Sequence, residues 1–241
     1  QLILINSFFI LAWLIVSVFP FIWTFWGSFK VRADFFSRAD WMFAVTGVNT
    51  LIETGDTSTV KAYVESWTEG EFWKATMNTV IITVSVVTIS LFLGTLGAYA
   101  LSRSTYKYTF WILIAALIFR AMPHITLVSG YLFPFFQLNV WGILPTTIIV
   151  LVAINQPFTL WLLYSFFKTV PKELDESALI DGCSYFQAFR FVIMPVMWPG
   201  VVTAGLFSMM LAYNDFTVTS LLLNQQNYCL LYTSPSPRDT S

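Results

Sequence analysis

The sequence predicts an all-α polytopic membrane protein, and three observations carry that prediction. Of the 241 residues, 57% are hydrophobic, 18% aromatic and only 10% charged, whereas a soluble domain carries about a quarter of its residues charged. The charges are also unevenly placed: none falls in Gln1–Phe29, Ala75–Ser102, Ala121–Phe167 or Phe191–Asn214. A helix needs about 20 apolar residues to cross the hydrocarbon core, and each of these stretches is long enough. Finally, lipid leaves the backbone only helices or closed barrels as spanning forms. Barrel strands alternate apolar and polar residues, but Val80–Leu93 is apolar or small throughout.

The same composition excludes several function classes. A net charge of −1 gives no basic surface for nucleic acid. Cys183 and Cys229 are the only cysteines, without metal-ligand spacing or a disulfide framework. His124 is the only histidine, has no second His or Cys to share a ligand set, and is expected to serve in packing or at an interface. No pair of acids and no nucleophile with a base suggests an intramembrane enzyme. No repeated selectivity element suggests a channel. No G-x-x-x-x-G-K-[ST] loop occurs, so nothing here would cradle the phosphates of ATP.

In chain order, the first span covers Leu2 to Trp26, with Pro20 near its end. It exceeds a secretory h-region and lacks a small-residue cleavage site, so it is expected to be retained. Residues 30–72 hold seven acids and four bases and are expected to form a loop with an amphipathic piece at Val60–Trp67. The second span, Met77 to Leu101, places Ser90, Gly94, Ala98 and Ser102 four residues apart. Such a small-residue stripe lets membrane helices approach closely. A third span begins near Phe110 and is interrupted by Arg120 and Pro123. A turn at Gln137–Asn139 leads to the fourth, Leu144 to Phe167, with Asn155-Gln156-Pro157 at its middle. The fifth runs from Pro199 to Leu223. The link Arg103–Tyr108 carries two bases and no acid, which favours the cytoplasm and puts 168–190 on that side and 31–72 outside. Arg120 and Asp215 are the charges well inside apolar stretches. A charge at mid-bilayer costs about 3 kcal/mol, so both are expected to face the bundle interior, with Asn214 beside them as part of a polar pathway.

The stretch between the last two spans is the most informative. Pro171 suits the first turn of a helix, and Glu173, Asp175 and Glu176 suit its positive end. Gly182 suits a left-handed residue just past the helix. Ser184 with Gln187 has the spacing of a capping box that opens a second helix, which Pro195 is expected to disrupt. The product is two short helices at an angle, a rigid elbow rather than a plain loop.

Glu176-Ser177-Ala178, Asp181-Gly182-Cys183, Phe189, Pro195 and Pro199-Gly200 resemble the "EAA" signature of binding-protein-dependent ABC permeases. Ser177 and Cys183 stand where Ala is common, and both are small. Ser28-Phe29-Lys30, Ala98 to Arg103, Pro157-Phe158 and Ala212 to Phe216 are similar to the carbohydrate branch, in particular the shorter membrane subunit of maltose-type importers. The resemblance implies a type I ABC importer permease fold, with about five spans present and a sixth truncated, in a bacterial or archaeal plasma membrane. It implies three partners besides membrane lipid: an ATP-binding cassette ATPase dimer, a second homologous permease, and an extracytoplasmic solute-binding protein, with the solute a sugar. It implies no cofactor of the chain's own, since ATP belongs to the ATPase. It makes Glu176, Ser177, Ala178, Asp181 and Gly182 the ATPase-docking loop. The expected divisions are a span at 1–29, an extracytoplasmic loop at 30–72, the permease domain at 73–227 and a tail at 228–241. That tail, from Cys229 to Asp239, resembles a translated sequencing adapter, and it is expected to pack against nothing.

Overall fold

The computed structural model describes residues 2–27, 67–68, 72–223 and 229–230. Most of the 30–72 loop, including residues 60–66 of the expected amphipathic piece, lies outside the described residues, as does most of the tail. The chain divides into two units, Gln1–Phe72 and Trp73–Ser241, each taken by itself. In the first, α1 spans Leu2–Gly27 with Pro20 inside it. The missing N–H of Pro20 does not end the helix, and Thr24 Oγ1 donates to the Pro20 carbonyl at 2.7 Å.

The second unit is built from α2 (Phe72–Arg103), α3 (Tyr108–Ala121), α4 (His124–Gln137), α5 (Leu144–Thr169), α6 (Glu173–Ile180), α7 (Tyr185–Tyr213) and α8 (Phe216–Leu222). Among the described residues four helices, α1, α2, α5 and α7, are long and apolar enough to cross a membrane. The α3–α4 pair, bent by 89° at its break, makes up to five spans. The break falls at Met122-Pro123, where the sequence predicted it: a proline disfavours helix in the residue before it. The α4–α5 turn contains Asn139 at φ +53°, in the left-handed region that asparagine tolerates better than most residues.

Two apolar cores lie at opposite ends of this bundle. One gathers Ala98, Leu163, Phe167, Phe189, Ile193, Met197 and Val201 near the elbow. The other gathers Ile82, Val86, Val128, Val150, Leu151, Val218 and Leu222 at the far end. Small residues bring the helices together between them. Ser90, Gly94, Ala98 and Ser102 are all buried along α2. A Cβ on Gly94 would stand 3.1 Å from both Leu163 and Thr159 of α5, and one on Gly200 of α7 would stand 2.9 Å from the Phe166 ring. The stripe therefore serves close packing within the bundle.

Two expectations are corrected. Pro195 does not disrupt the helix that Ser184 opens; α7 continues unbroken to Tyr213. The residues just before it, Ala188–Ile193, adopt a π-helical turn. The wider turn draws the backbone away from the clash a proline ring makes with the carbonyl four residues back. The fifth span therefore begins at the elbow itself rather than at Pro199, and it ends at Tyr213, ahead of a separate α8. The second correction concerns the tail. Cys229 is 3% exposed, within the far core, and the N–H of Leu230 donates to Thr79 Oγ1 at 3.0 Å. A cysteine is a small hydrophobe that fills a core gap readily.

Candidate functional site

The elbow is assembled from local signals. Helix α6 carries Glu173, Asp175 and Glu176 in its first turn, where unpaired N–H groups favour negative charge. At its other end the Cys183 N–H donates to the Ala178 carbonyl at 3.0 Å and the Gly182 N–H to that of Leu179 at 3.1 Å. This is a Schellman cap, and it needs a residue at positive φ; Gly182 sits at φ +87°. Ser184 then opens α7 with both bonds of a capping box: the Gln187 N–H donates to Ser184 Oγ at 3.3 Å, and the Ser184 N–H donates to Gln187 Oε1 at 2.8 Å. The turn between the helices is thus fixed from both sides. Ala178 is buried, whereas Glu176, Ser177, Asp181 and Gly182 are exposed. Beside them Ile180, Tyr185 and Phe186 are 85%, 74% and 64% exposed. Acids and large apolar side chains share one surface here, the composition of a contact patch.

Asp175, on the inner side of α6, anchors the elbow to the bundle. The Tyr99 hydroxyl donates to Asp175 Oδ1 at 2.6 Å, Arg103 Nε lies 2.7 Å from Asp175 Oδ2, and Arg103 Nη1 donates to the Val170 carbonyl at 3.0 Å. The Arg103 guanidinium also lies 5.8 Å from the centre of the Tyr99 ring, within cation–π range. The Tyr99 ring packs in turn against Phe167 at 5.8 Å and Phe189 at 4.8 Å. Helices α2, α5, α6 and α7 all meet at this one clamp.

At the far end a second polar junction joins Arg120 and Asp215, and His124 stands between them. Arg120 Nη1 donates to His124 Nε2 at 2.6 Å, and His124 Nδ1 lies 3.2 Å from Asp215 Oδ2. The Asp215 side chain is 7% exposed, and its Oδ1 accepts the Val218 N–H at 2.9 Å, capping α8. Asn214 stands apart: it is exposed, and its Nδ2 donates to the Met210 carbonyl at 2.9 Å. The α4–α5 turn ties down the other end of α8. There Trp141 Nε1 donates to the Leu221 carbonyl and the Gly142 N–H to that of Leu222, both at 3.1 Å.

The sequence profile of the binding-protein-dependent transport system inner membrane component family matches residues 87–236, more than half of the chain. The chain belongs to that family. It is 29% identical over 238 residues to the diacetylchitobiose uptake system permease protein NgcG of Streptomyces coelicolor, covering 94% of this chain and 71% of that one. It is 32% identical over 205 residues to the trehalose/maltose transport system permease protein MalG of Thermococcus litoralis, covering 84% of this chain and 69% of the relative. Its fold is like that in a crystal structure of a bacterial ABC transporter involved in the import of the acidic polysaccharide alginate. The TM-score is 0.73 at 21% identity, covering 95% of this chain and 76% of that chain.

This transport-system component is therefore a multi-pass membrane protein with the type I importer fold, and it is a transport subunit, not an enzyme. Three clamp residues went unselected in the sequence. Tyr99 and Arg103 sit four apart on one helix face, a spacing that puts their side chains side by side. Asp175 passed for one of three helix-stabilising acids. His124 was set aside because no metal partner existed, although it lies four residues after Arg120.

Proposed function

We propose that this chain is the transmembrane permease subunit of an ATP-driven, binding-protein-dependent importer, and that its solute is a sugar or oligosaccharide. The observation that carries the reading is the elbow. A turn capped from both sides presents an exposed mixed surface, while Asp175 of the same helix is held inside the bundle by Tyr99 and Arg103. Such an element can receive a push on one face and deliver it to four helices. The sugar reading is supported by the relatives named for diacetylchitobiose and for trehalose/maltose.

In this reading Pro171–Pro195 lies on the cytoplasmic side and docks on one subunit of an ATP-binding cassette ATPase dimer, which holds the ATP. Glu176 and Asp181 present charge to it, Ser177 keeps the surface low, Ala178 seats the helix and Gly182 sets the turn. A second homologous permease completes the pathway, and a solute-binding protein docks on the opposite face. Closure of the ATPase dimer carries the elbow inward, and α2, α5 and α7 follow as rigid bodies from an inward-facing to an outward-facing arrangement.

The test is a reconstituted complex in which sugar uptake and ATP hydrolysis are followed together. Gly182→Pro forces φ to about −65° where the turn needs a positive value, and Asp181→Lys reverses a charge on the docking surface. Both variants are expected to insert normally, because the spans are untouched. Uptake should fall, with the ATPase either released or hydrolysing ATP without moving solute. Normal uptake by both variants with the ATPase bound would reduce the elbow to a loop.

A further inference from the structure

The far junction draws on both broken parts of the bundle. Arg120 and His124 flank the α3–α4 break, and Asp215 occupies the break between α7 and α8. Helix α7 has 29 residues and starts at the elbow, so it is a rod about 43 Å long at 1.5 Å per residue. One end carries the Ser184 cap and the other stops two residues short of Asp215. Whatever displaces the elbow displaces the far end of this rod, and the first polar side chain that Asp215 faces across the gap is His124.

The hydrogen-bond inventory decides the state of that imidazole. A guanidinium has only donors, and Arg120 Nη1 lies 2.6 Å from His124 Nε2, so Nε2 must offer its lone pair. The ring proton is then on Nδ1, facing the Asp215 carboxylate at 3.2 Å. A doubly protonated ring would set N–H against N–H at the Arg120 contact. His124 thus accepts on one side and donates on the other. Neither a simple cation nor an apolar side chain can do both.

We propose that His124 is a positioning residue of transport: a neutral bridge that joins the Asp215 end of the elbow rod to the α3–α4 break, so that motion entering at the elbow reaches α4 at the opposite end of the bundle. Three features support it. Removing the bridge would leave Arg120 and Asp215 as separated charges within apolar stretches, which is costly in a membrane. Asp215 caps α8 through its other oxygen, so one carboxylate holds both α8 and the bridge. The Trp141 and Gly142 bonds to the end of α8 already tie the exit of α4 to α8, so the bridge closes the second side of a frame.

The uptake half of this inference rests on the transporter reading above; the bridge itself does not. His124 is the only histidine, so nitrogen-15 histidine labelling of the full chain in lipid nanodiscs reports that ring alone. We expect one protonated nitrogen, Nδ1, and one unprotonated, Nε2, and we expect Arg120→Leu to release this fixed tautomer. A ring protonated on Nε2, or on both nitrogens, overturns the bridge. For function, His124→Gln, His124→Lys and His124→Leu are compared in vesicles holding the permease with its partner ATPase, second permease and binding protein, using labelled diacetylchitobiose and maltose. Gln can accept and donate as the imidazole does, so its uptake should stay within about threefold of the parent. Lys and Leu should each lose about tenfold or more, the size expected when a hydrogen bond to a charged group is broken. Lys matching the parent would show that a bare charge suffices, Leu matching it that bulk suffices, and either result overturns the positioning role. Should Leu fail to insert, the Gln and Lys pair decides. If the parent complex imports neither sugar, the solute reading fails, while the nitrogen-15 spectra still decide the bridge.

Discussion

The two ends of the bundle solve the same problem, a charge pair held among apolar helices, in different ways. At the elbow end Arg103 and Asp175 meet directly at 2.7 Å, under a tyrosine that bonds to one partner and lies beside the other. At the far end Arg120 and Asp215 are joined through an imidazole. A direct pair fixes two helices in one geometry. A bridged pair has two contacts in series and spans a wider gap between the elements it joins. The elbow end is therefore the stiffer of the two, as a surface that must take up force requires, and the far end is the longer link that passes motion on to α4.

Breaking the stiff end should have the largest effect. With the Arg103 and Asp175 side chains only 17% and 13% exposed, Asp175→Ala leaves a largely buried cation without its counter-ion and should cost about 3 kcal/mol. Thermal unfolding in detergent would register this as a clear fall in midpoint, and uptake should fall with it. A variant with the parent's midpoint would mean that the clamp contributes nothing to rigidity. The middle of the bundle should come next. In Gly200→Val the new Cβ would stand 2.9 Å from the Phe166 ring, and forced repacking of this kind costs about 2 kcal/mol. The same unfolding assay checks it, with Gly130→Ala as the contrast, because a Cβ there meets nothing within 4 Å. The smallest effect should come from Ser184→Ala, which removes one side of the capping box and should cost about 1 kcal/mol. Hydrogen exchange at the Gln187 amide should speed up in that variant, with the far core unchanged. Loss of protection at both ends would show that the ends are not independent.

The same contrast separates what was legible in the sequence from what was not. The elbow was legible because its determinants are local: acids in a first turn, a glycine at the helix end, and Ser184 three residues before Gln187. The spans were legible because apolar length carries them, and the α3–α4 break because Pro123 marks it. The clamp and the bridge were not, since Tyr99 meets Asp175 and His124 meets Asp215 only after distant parts of the chain have packed. The continuation of α7 through Pro195 was missed for a related reason. A proline signals a lost hydrogen bond, but nothing in its neighbourhood says whether the helix will stop or widen to pass it.

That widening has a consequence for how the elbow points. Successive residues of an α-helix step about 100° around its axis, so a turn holding one extra residue advances every side chain beyond it. The π-turn at Ala188–Ile193 lies between the elbow and the membrane-spanning length of α7. It thus sets the azimuth at which the docking face stands relative to the helices it moves. Within this architecture, one residue gained or lost at that turn would re-aim the coupling surface like the phase of a screw thread, and the clamp, which includes Phe189 of that turn, would have to shift with it.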